Sequence, residues 1–414
     1  MNEKKIKDKL VEYFLKYLAI SSQSDEENKN IPSSPGQIEL GKILAKDLKE
    51  LGLTDISINE FGVVQARLPK RGIASSKALG WVAHLDTVDV GLSDEIHPQI
   101  IKSYDGSCIK LNEDEFFSTK DNPEVLSYIG DDIIFTDGAS VLGADNKAAI
   151  ANIMTALWFL KEDTEIDHAE IFIAFVPDEE IGLRGARKID FDKFKVDYAY
   201  TIDCCELGEL VYETFNAASG TLKIKGVPAH PMSAKGNLVN PIMIAHDFIS
   251  MLDRAKMPEN TENKEGYVWV TDIHSDVLNL KLDFNIRNHD KEKFEASKDY
   301  LYKICEILKE RYKNAKIEIE IEDVYANIKD SMNDQNKIAV ERLKQIFEKL
   351  EIKPKIIPMR GGTDGSYLST VGIFTPNYFT GAHNFHSNKE FLPIDSFYKS
   401  FLVTLELMKD KLED

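Results

Sequence analysis

Cysteine is scarce: the 414 residues hold four, Cys108, Cys204, Cys205 and Cys305. Cys204 and Cys205 are adjacent and make poor disulfide partners for each other. A stapled secreted fold is therefore excluded, and a reducing, cytoplasmic compartment is expected. Long apolar runs are also missing. No stretch approaches the roughly 20 residues that span a bilayer, so no membrane partner is expected. The opening segment MNEKKIKDKLVEYFLKYLAI starts with charge but has no uninterrupted apolar core and no small-residue cleavage site. It reads as an amphipathic helix rather than a signal peptide. Basic charge is in deficit, with 51 Lys plus Arg against 70 Asp plus Glu and a net charge of -19. Such a surface repels phosphate backbones, which argues against nucleic acid as a partner, and it favours cations. Repeats and low-complexity tracts are absent.

What is present describes a globular chain of two or three domains, 43% hydrophobic and 29% charged. A helix is predicted from near Asn2, and another from Pro35 that stops at Gly52. KALGWVAHLD reads as a buried strand. The stretch from Thr87 to Asp132 is polar and loop-rich, and an excursion of that length is often functional. LGADNKAAIANIMTALWFL reads as a turn entering a helix, AEIFIAFVPDEE as a strand ending in acid, and YAYTIDCCELGELVYET as strand, turn and strand. This alternation predicts an α/β layer on a mixed, largely parallel sheet with helices on both faces.

The pattern changes after Asn216. TLKIKGVPAH, VLNLKLDFNIR and AKIEIEIEDVY alternate with period two, and helical segments separate them. That predicts a small antiparallel sheet covered on one face, a compact α+β unit. From about Ala326 the chain again reads helix, strand, loop, helix. The expected organisation is a first domain in two parts, 1–214 and 326–414, interrupted by an inserted domain, 215–325.

Residues able to do chemistry collect at the carboxyl ends of the predicted strands, where open α/β sheets bind ligands. His84 and Asp86 close the first buried strand. Asp145 precedes a helix. Asp178, Glu179 and Glu180 end a third strand, Asp203 ends a fourth, and His386 lies in a loop, GAHNFHSNKEF. Taken singly, each has an ordinary explanation: an Asp before a helix is usually a cap, and three consecutive acids are usually solvated. Taken together, converging acids would repel one another unless a cation neutralised them. Carboxylates mixed with imidazoles suit zinc, with cobalt or manganese as alternatives. Glu179 and Glu180, adjacent on an extended chain, would face opposite ways.

The blocks HLDT, LGADNKA, PDEEIG, TID, PAHPMSAKG, RGGTDG and NFHSNKEF occur in that order. Together they resemble the co-catalytic two-zinc exopeptidases, a family that includes peptidase T, dipeptidases, glutamate carboxypeptidases and aminoacylases. The peptidase T branch is the most similar, over essentially the whole chain. The resemblance implies two Zn(2+) per subunit, one held by His84, Asp145 and Asp203 and the other by Asp145, Glu180 and His386. It implies Glu179 as the general base and Asp86 as the acid that hydrogen-bonds His84. It also implies that His230 is an oxyanion donor, that the inserted domain serves as a lid and dimerisation domain, and that the protein forms a homodimer. Arg360, Arg287 and Asn327 are candidate anchors for a peptide carboxylate, since guanidinium forks fit carboxylates bidentately. The expected activity is aminopeptidase action on short peptides, tripeptides above all. A dipeptidase, a carboxypeptidase, an acyl-amino-acid hydrolase and an inactive metal-binding protein are the alternatives. Cys204, Cys205, Asn146 and Lys389 depart from the family's frequent residues around these positions, and His383 offers a second histidine beside His386.

Overall fold

The computed structural model describes residues 2–72 and 77–409. The chain divides into two compact units. One comprises Met1–Tyr212, Ser331–Ile357 and Thr363–Asp414; the other comprises Glu213–Asp330 and Pro358–Gly362.

The first unit is built on an eight-stranded mixed sheet. Its order is Thr54–Ile58, Val64–Leu68, Glu170–Val176, Ala78–His84, Tyr198–Cys204, Asn377–Phe379, Glu209–Val211, Lys355–Ile356. The four strands from Glu170–Val176 to Asn377–Phe379 run parallel to one another. The two strands on the Val64–Leu68 side join antiparallel, as does Glu209–Val211 on the other side. The central strands ALGWVAH and EIFIAFV are buried almost throughout, so they read as continuous apolar runs rather than alternations. On one face Val82, Ala174 and Ala199 pack with Leu368 of helix Asp364–Thr370. On the other, Trp81 Nε1 donates to Tyr378 Oη, which also bonds Thr404 Oγ1 of helix Ile394–Lys409. That helix packs on Ala144–Glu162 through Asn152 and Ser400 and through Phe159 and Phe401. The amphipathic N-terminal helix is Glu3–Leu18, capped by Asn2, whose side chain accepts the Lys5 N–H. It buries Leu10, Phe14 and Leu18, spaced by one turn; each such side chain contributes roughly 1.5–3 kcal/mol of hydrophobic stabilisation.

The stretch from Thr87 to Asp132 is more ordered than its composition predicts. It holds the short strands Gln99–Ile101, Ile109–Lys110 and Phe116–Phe117. The first pairs with Ile133–Phe135, which pairs in turn with Phe391–Pro393. Tyr104, Phe117, Val125, Phe135 and Phe391 give this region an apolar core of its own. Strands of two or three residues are too short to show a period.

The second unit is a four-stranded antiparallel sheet, ordered Tyr267–Ser275, Asn279–Asn288, Asn216–Lys225, Lys316–Tyr325. Leu222, Ile224, Leu282, Phe284 and Ile286 face helices Pro241–Ser250 and Lys291–Arg311. Strand Tyr267–Ser275 has no counterpart in the sequence expectations: it is a largely exposed edge strand and lacks a clean apolar face. This unit also takes in Pro358–Gly362, a segment expected to belong to the last part of the chain. Among the described residues no helix is long and apolar enough to cross a membrane.

Candidate metal centre

Neighbouring parallel strands end at His84, Val176 and Cys204, and their carboxyl ends bring the acidic residues together. Asp145 is the focus. It is not a helix cap. Gly143 holds the N-cap position with no side-chain bond, and Asp145 is non-helical at φ -82, ψ 101. Its side chain is shared between two histidines. Oδ1 lies 2.8 Å from His84 Nε2 and Oδ2 lies 3.1 Å from His386 Nε2. Glu180 Oε1 stands 3.1 Å from the same His386 nitrogen. His84, Asp145 and Glu180 each offer a ligand atom within 4.8 Å of the others. Asp203 lies one residue before the end of its strand, with its N–H on Asn377 Oδ1 at 2.7 Å, and its carboxylate is 3.4 Å from Asn146 Nδ2. Asn146 also donates to the Ile202 carbonyl at 2.8 Å, so it holds the strand end that carries Asp203.

His383 does not join this group. It bonds Tyr128 Oη at 2.7 Å and stacks on Phe391. Lys389 pairs with Glu115. Cys204 is buried, and burial pushes its thiol well above its ordinary pKa.

The charges are crowded. Burial raises the Glu179 carboxyl well above its usual range, and Asp203 and Asp364 add to the shift. Burial and then Asp145 raise Glu180, and the same two causes raise Asp203 well above its usual range. Burial opposes ionisation of Asp145, but its bonds to His386 and His84 hold it below the ordinary carboxylate range. His386 is raised to about 11 by Asp145 and then Glu180. Burial opposes charge on His84, yet the bonds to Asp145 and Asp86 raise it well above its ordinary value. The carboxylates thus favour the charged form of both imidazoles. Glu180 Oε1 is buried and lacks a partner of hydrogen-bond geometry. A buried carboxylate oxygen that faces an imidazole nitrogen at 3.1 Å without a well-formed hydrogen bond fits a divalent metal, which would take the place of a proton there.

Asp86 faces His84 as expected and has a second task. The nearest oxygen to His84 Nδ1 is the main-chain carbonyl of Asp86 at 3.0 Å; the Asp86 carboxylate is 3.5 Å away. That carboxylate also accepts the N–H groups of Glu179 and Glu180, at 3.0 and 3.1 Å. The extended backbone expected for Glu179 and Glu180 is also replaced. The strand stops at Val176, Asp178 has φ +54, and the two glutamates sit in the turn that follows. Asp178 accepts from Ser33 and Gln37, which ties the turn down.

Two acids of the site region were not singled out in the sequence. Asp364 is buried, with Oδ1 unpartnered, and burial pushes its pKa up to about 7. It follows the glycines of RGGTDG, where attention falls on the arginine. Glu390 is buried and accepts main-chain N–H groups ahead of Asp145. Only its place four residues after His386 marks it.

The other four candidates lie in the second unit. His230 is exposed on the turn Pro231–Ser233, and its Nδ1 accepts the Met232 N–H at 3.2 Å. Arg360 donates to the carbonyls of Asn263 and Glu265 and to Thr261 Oγ1, and lies over the rings of Phe215 and Tyr267. Arg287 donates to the Ala218 and Ile286 carbonyls and lies over Tyr325. Asn327 is buried, joining Thr214 N–H to the His289 carbonyl.

A family model described as peptidase family M20/M25/M40 matches residues 143–410. A peptidase T-like protein of Yersinia pestis is 50% identical over 96% of this chain and 97% of its own length. Peptidase T of Bacillus subtilis (strain 168) is 42% identical, over 98% of this chain and 98% of its own. Among solved structures, the fold is similar to aminopeptidase PepT from Bacillus cereus, with a TM-score of 0.76 at 21% identity over 98% of both chains.

Proposed function

The chain belongs to the peptidase family M20/M25/M40, and from that premise we propose that it is a two-zinc aminopeptidase that removes the N-terminal residue of tripeptides. It is a metallopeptidase, as its peptidase T relatives are. The observation that carries the finer reading is the Asp145 carboxylate, with one oxygen toward His84 and the other toward His386. A carboxylate so divided suits a bridge between two ions. His84 and Asp203 would hold one ion with Asp145, and Glu180 and His386 would hold the other.

When bound, the zinc pair would supply a water acidified to a pKa of about 7 and positive charge for the scissile carbonyl. Glu179 takes the water proton and delivers it to the departing amine. Its raised pKa suits a group that must hold that proton between the two transfers. Asp86 keeps the Glu179–Glu180 turn in place by accepting both N–H groups. We assign His230 as an oxyanion donor, and Arg360, Arg287 and Asn327 as the surroundings of the peptide carboxylate. The hydrogen bonds of Arg360 to Thr261, Asn263 and Glu265 occupy much of its guanidinium, so Arg360 acts in part by shaping its own loop. The second unit is assigned as lid and dimerisation domain, the active form as a cytoplasmic homodimer.

The test is a zinc titration of metal-stripped protein with Ala-Ala-Ala as substrate, repeated on Glu179→Ala. Turnover should saturate at two equivalents, and the variant should bind zinc without turnover. Full activity of the variant would overturn the base assignment. Faster cleavage of Ala-Ala would favour a dipeptidase. Amidating the tripeptide's C-terminus should sharply lower kcat/KM; an unchanged value would remove the carboxylate anchor.

A further inference from the structure

Glu390 lies at the base of the loop whose tip is His386. Its side chain is buried and both oxygens are in use. Oε2 accepts the N–H groups of Leu142 and Gly143 at 2.7 and 2.9 Å, and Oε1 those of Ala144 and Asp145 at 2.9 and 3.3 Å. Four consecutive main-chain donors converge on one carboxylate. They lead into helix Ala144–Glu162, whose first N–H groups have no partner within the helix. The usual remedy is a capping side chain, but the N-cap is Gly143, at φ +74. Glu390 fills that role from more than 240 residues away along the chain.

The consequence falls on Asp145. Its backbone is not helical, so the helix does not set the direction of its side chain. Its N–H is instead fixed by Glu390, while its carboxylate meets His386 of the same loop. The loop itself is closed, because His383 and Phe391 exchange main-chain hydrogen bonds across its base. We propose that Glu390 is a positioning residue for the metal bridge. It caps the Asp145 helix and thereby locks the bridging carboxylate to the loop that carries His386. This rests on the two-metal reading above and adds a residue to it.

A glutamine has the same shape but one acceptor oxygen, and its NH2 would face two N–H groups. The experiment is a Co(II) titration of metal-stripped wild type, Glu390→Gln and Lys389→Ala, followed by visible absorption in competition with a chelator. Partners that orient metal ligands typically change affinity by about 10–100-fold when replaced. Glu390→Gln should lose affinity by that factor and show an altered Co(II) spectrum, with a lower kcat and a nearly unchanged KM for Ala-Ala-Ala. Lys389→Ala, which removes only the pair with Glu115, should match wild type. An unchanged affinity and spectrum in Glu390→Gln would overturn the proposal, as would an equal loss in Lys389→Ala. Wild type that binds no Co(II) would instead overturn the two-metal reading beneath it. A second measurement requires no variant. The Leu142–Asp145 amides should be protected from hydrogen exchange in metal-stripped wild type. Free exchange until metal is added would assign the ordering to the metal and overturn the role of Glu390.

Discussion

Asp86 holds Glu179 by the main chain: its Oδ1 accepts the Glu179 N–H at 3.0 Å, while Oδ2 accepts that of Glu180 at 3.1 Å. One buried carboxylate thus fixes the turn that carries both the assigned base and an assigned ligand. Asp86→Asn retains one acceptor and sets an NH2 against the other N–H. Activity on Ala-Ala-Ala should fall about 10–100-fold, and Asp86→Ala should fall further. If the Asn variant keeps wild-type kcat, the turn does not depend on this carboxylate.

Proton release should accompany metal binding. In the metal-free protein His386 has its pKa raised from 6.5 to about 11 by Asp145 and Glu180. A raised pKa stabilises the metal-free fold fully below about 6.5, and that contribution fades as pH climbs toward about 11. A ligand imidazole must give up its proton, so metal affinity should rise with pH. Calorimetric zinc titrations at pH 7 in two buffers of different ionisation enthalpy should show net proton release. Identical heats in both buffers would contradict the protonated histidine.

His230→Ala separates catalysis from folding. The residue is exposed, and its side chain accepts the Met232 N–H of its own turn. Stability should change by less than about 0.5 kcal/mol. Loss of an oxyanion donor lowers kcat by about 10²–10³-fold, so kcat should drop by that factor with zinc content unchanged. Intact turnover would remove His230 from the mechanism.

Gly80 sits in the strand that ends at His84. A Cβ there would lie 2.6 Å from Phe194 Cζ and 2.9 Å from Ala199 Cβ. Gly80→Ala overpacks this layer and should cost about 1–3 kcal/mol, measured by urea denaturation of the metal-stripped protein. A neutral result would mean that Phe194 moves aside freely.

The site was legible where chemistry sits in short motifs at strand ends. His84 ends a strand, Glu180 follows one closely, Asp145 and His386 lie in short motifs of their own, and the structure brings these four side chains together. What was hidden depends on backbone conformation and long separation. The turn at Asp178 has positive φ on a non-glycine residue, which is uncommon and which composition does not announce. Asp86 could be read as a partner of His84, but not as an acceptor for N–H groups 93 and 94 residues away. The partners of Arg360 come from Thr261, Asn263 and Glu265, in a segment with no apolar period to place it. Strand Tyr267–Ser275 escaped notice for the same reason: an exposed edge carries no alternation.

Strand Asn377–Phe379 lies inside the central sheet, between Tyr198–Cys204 and Glu209–Val211. Asn377 holds the N–H of Asp203 across 174 residues of chain. Ribosomes add about 5–20 residues per second, so Asp203 emerges roughly nine to thirty-five seconds before the residue that holds it. Through that interval the growing polypeptide has a gap in its sheet and lacks His386. A metal centre that needs both Asp203 and His386 would therefore wait until this late segment has been made.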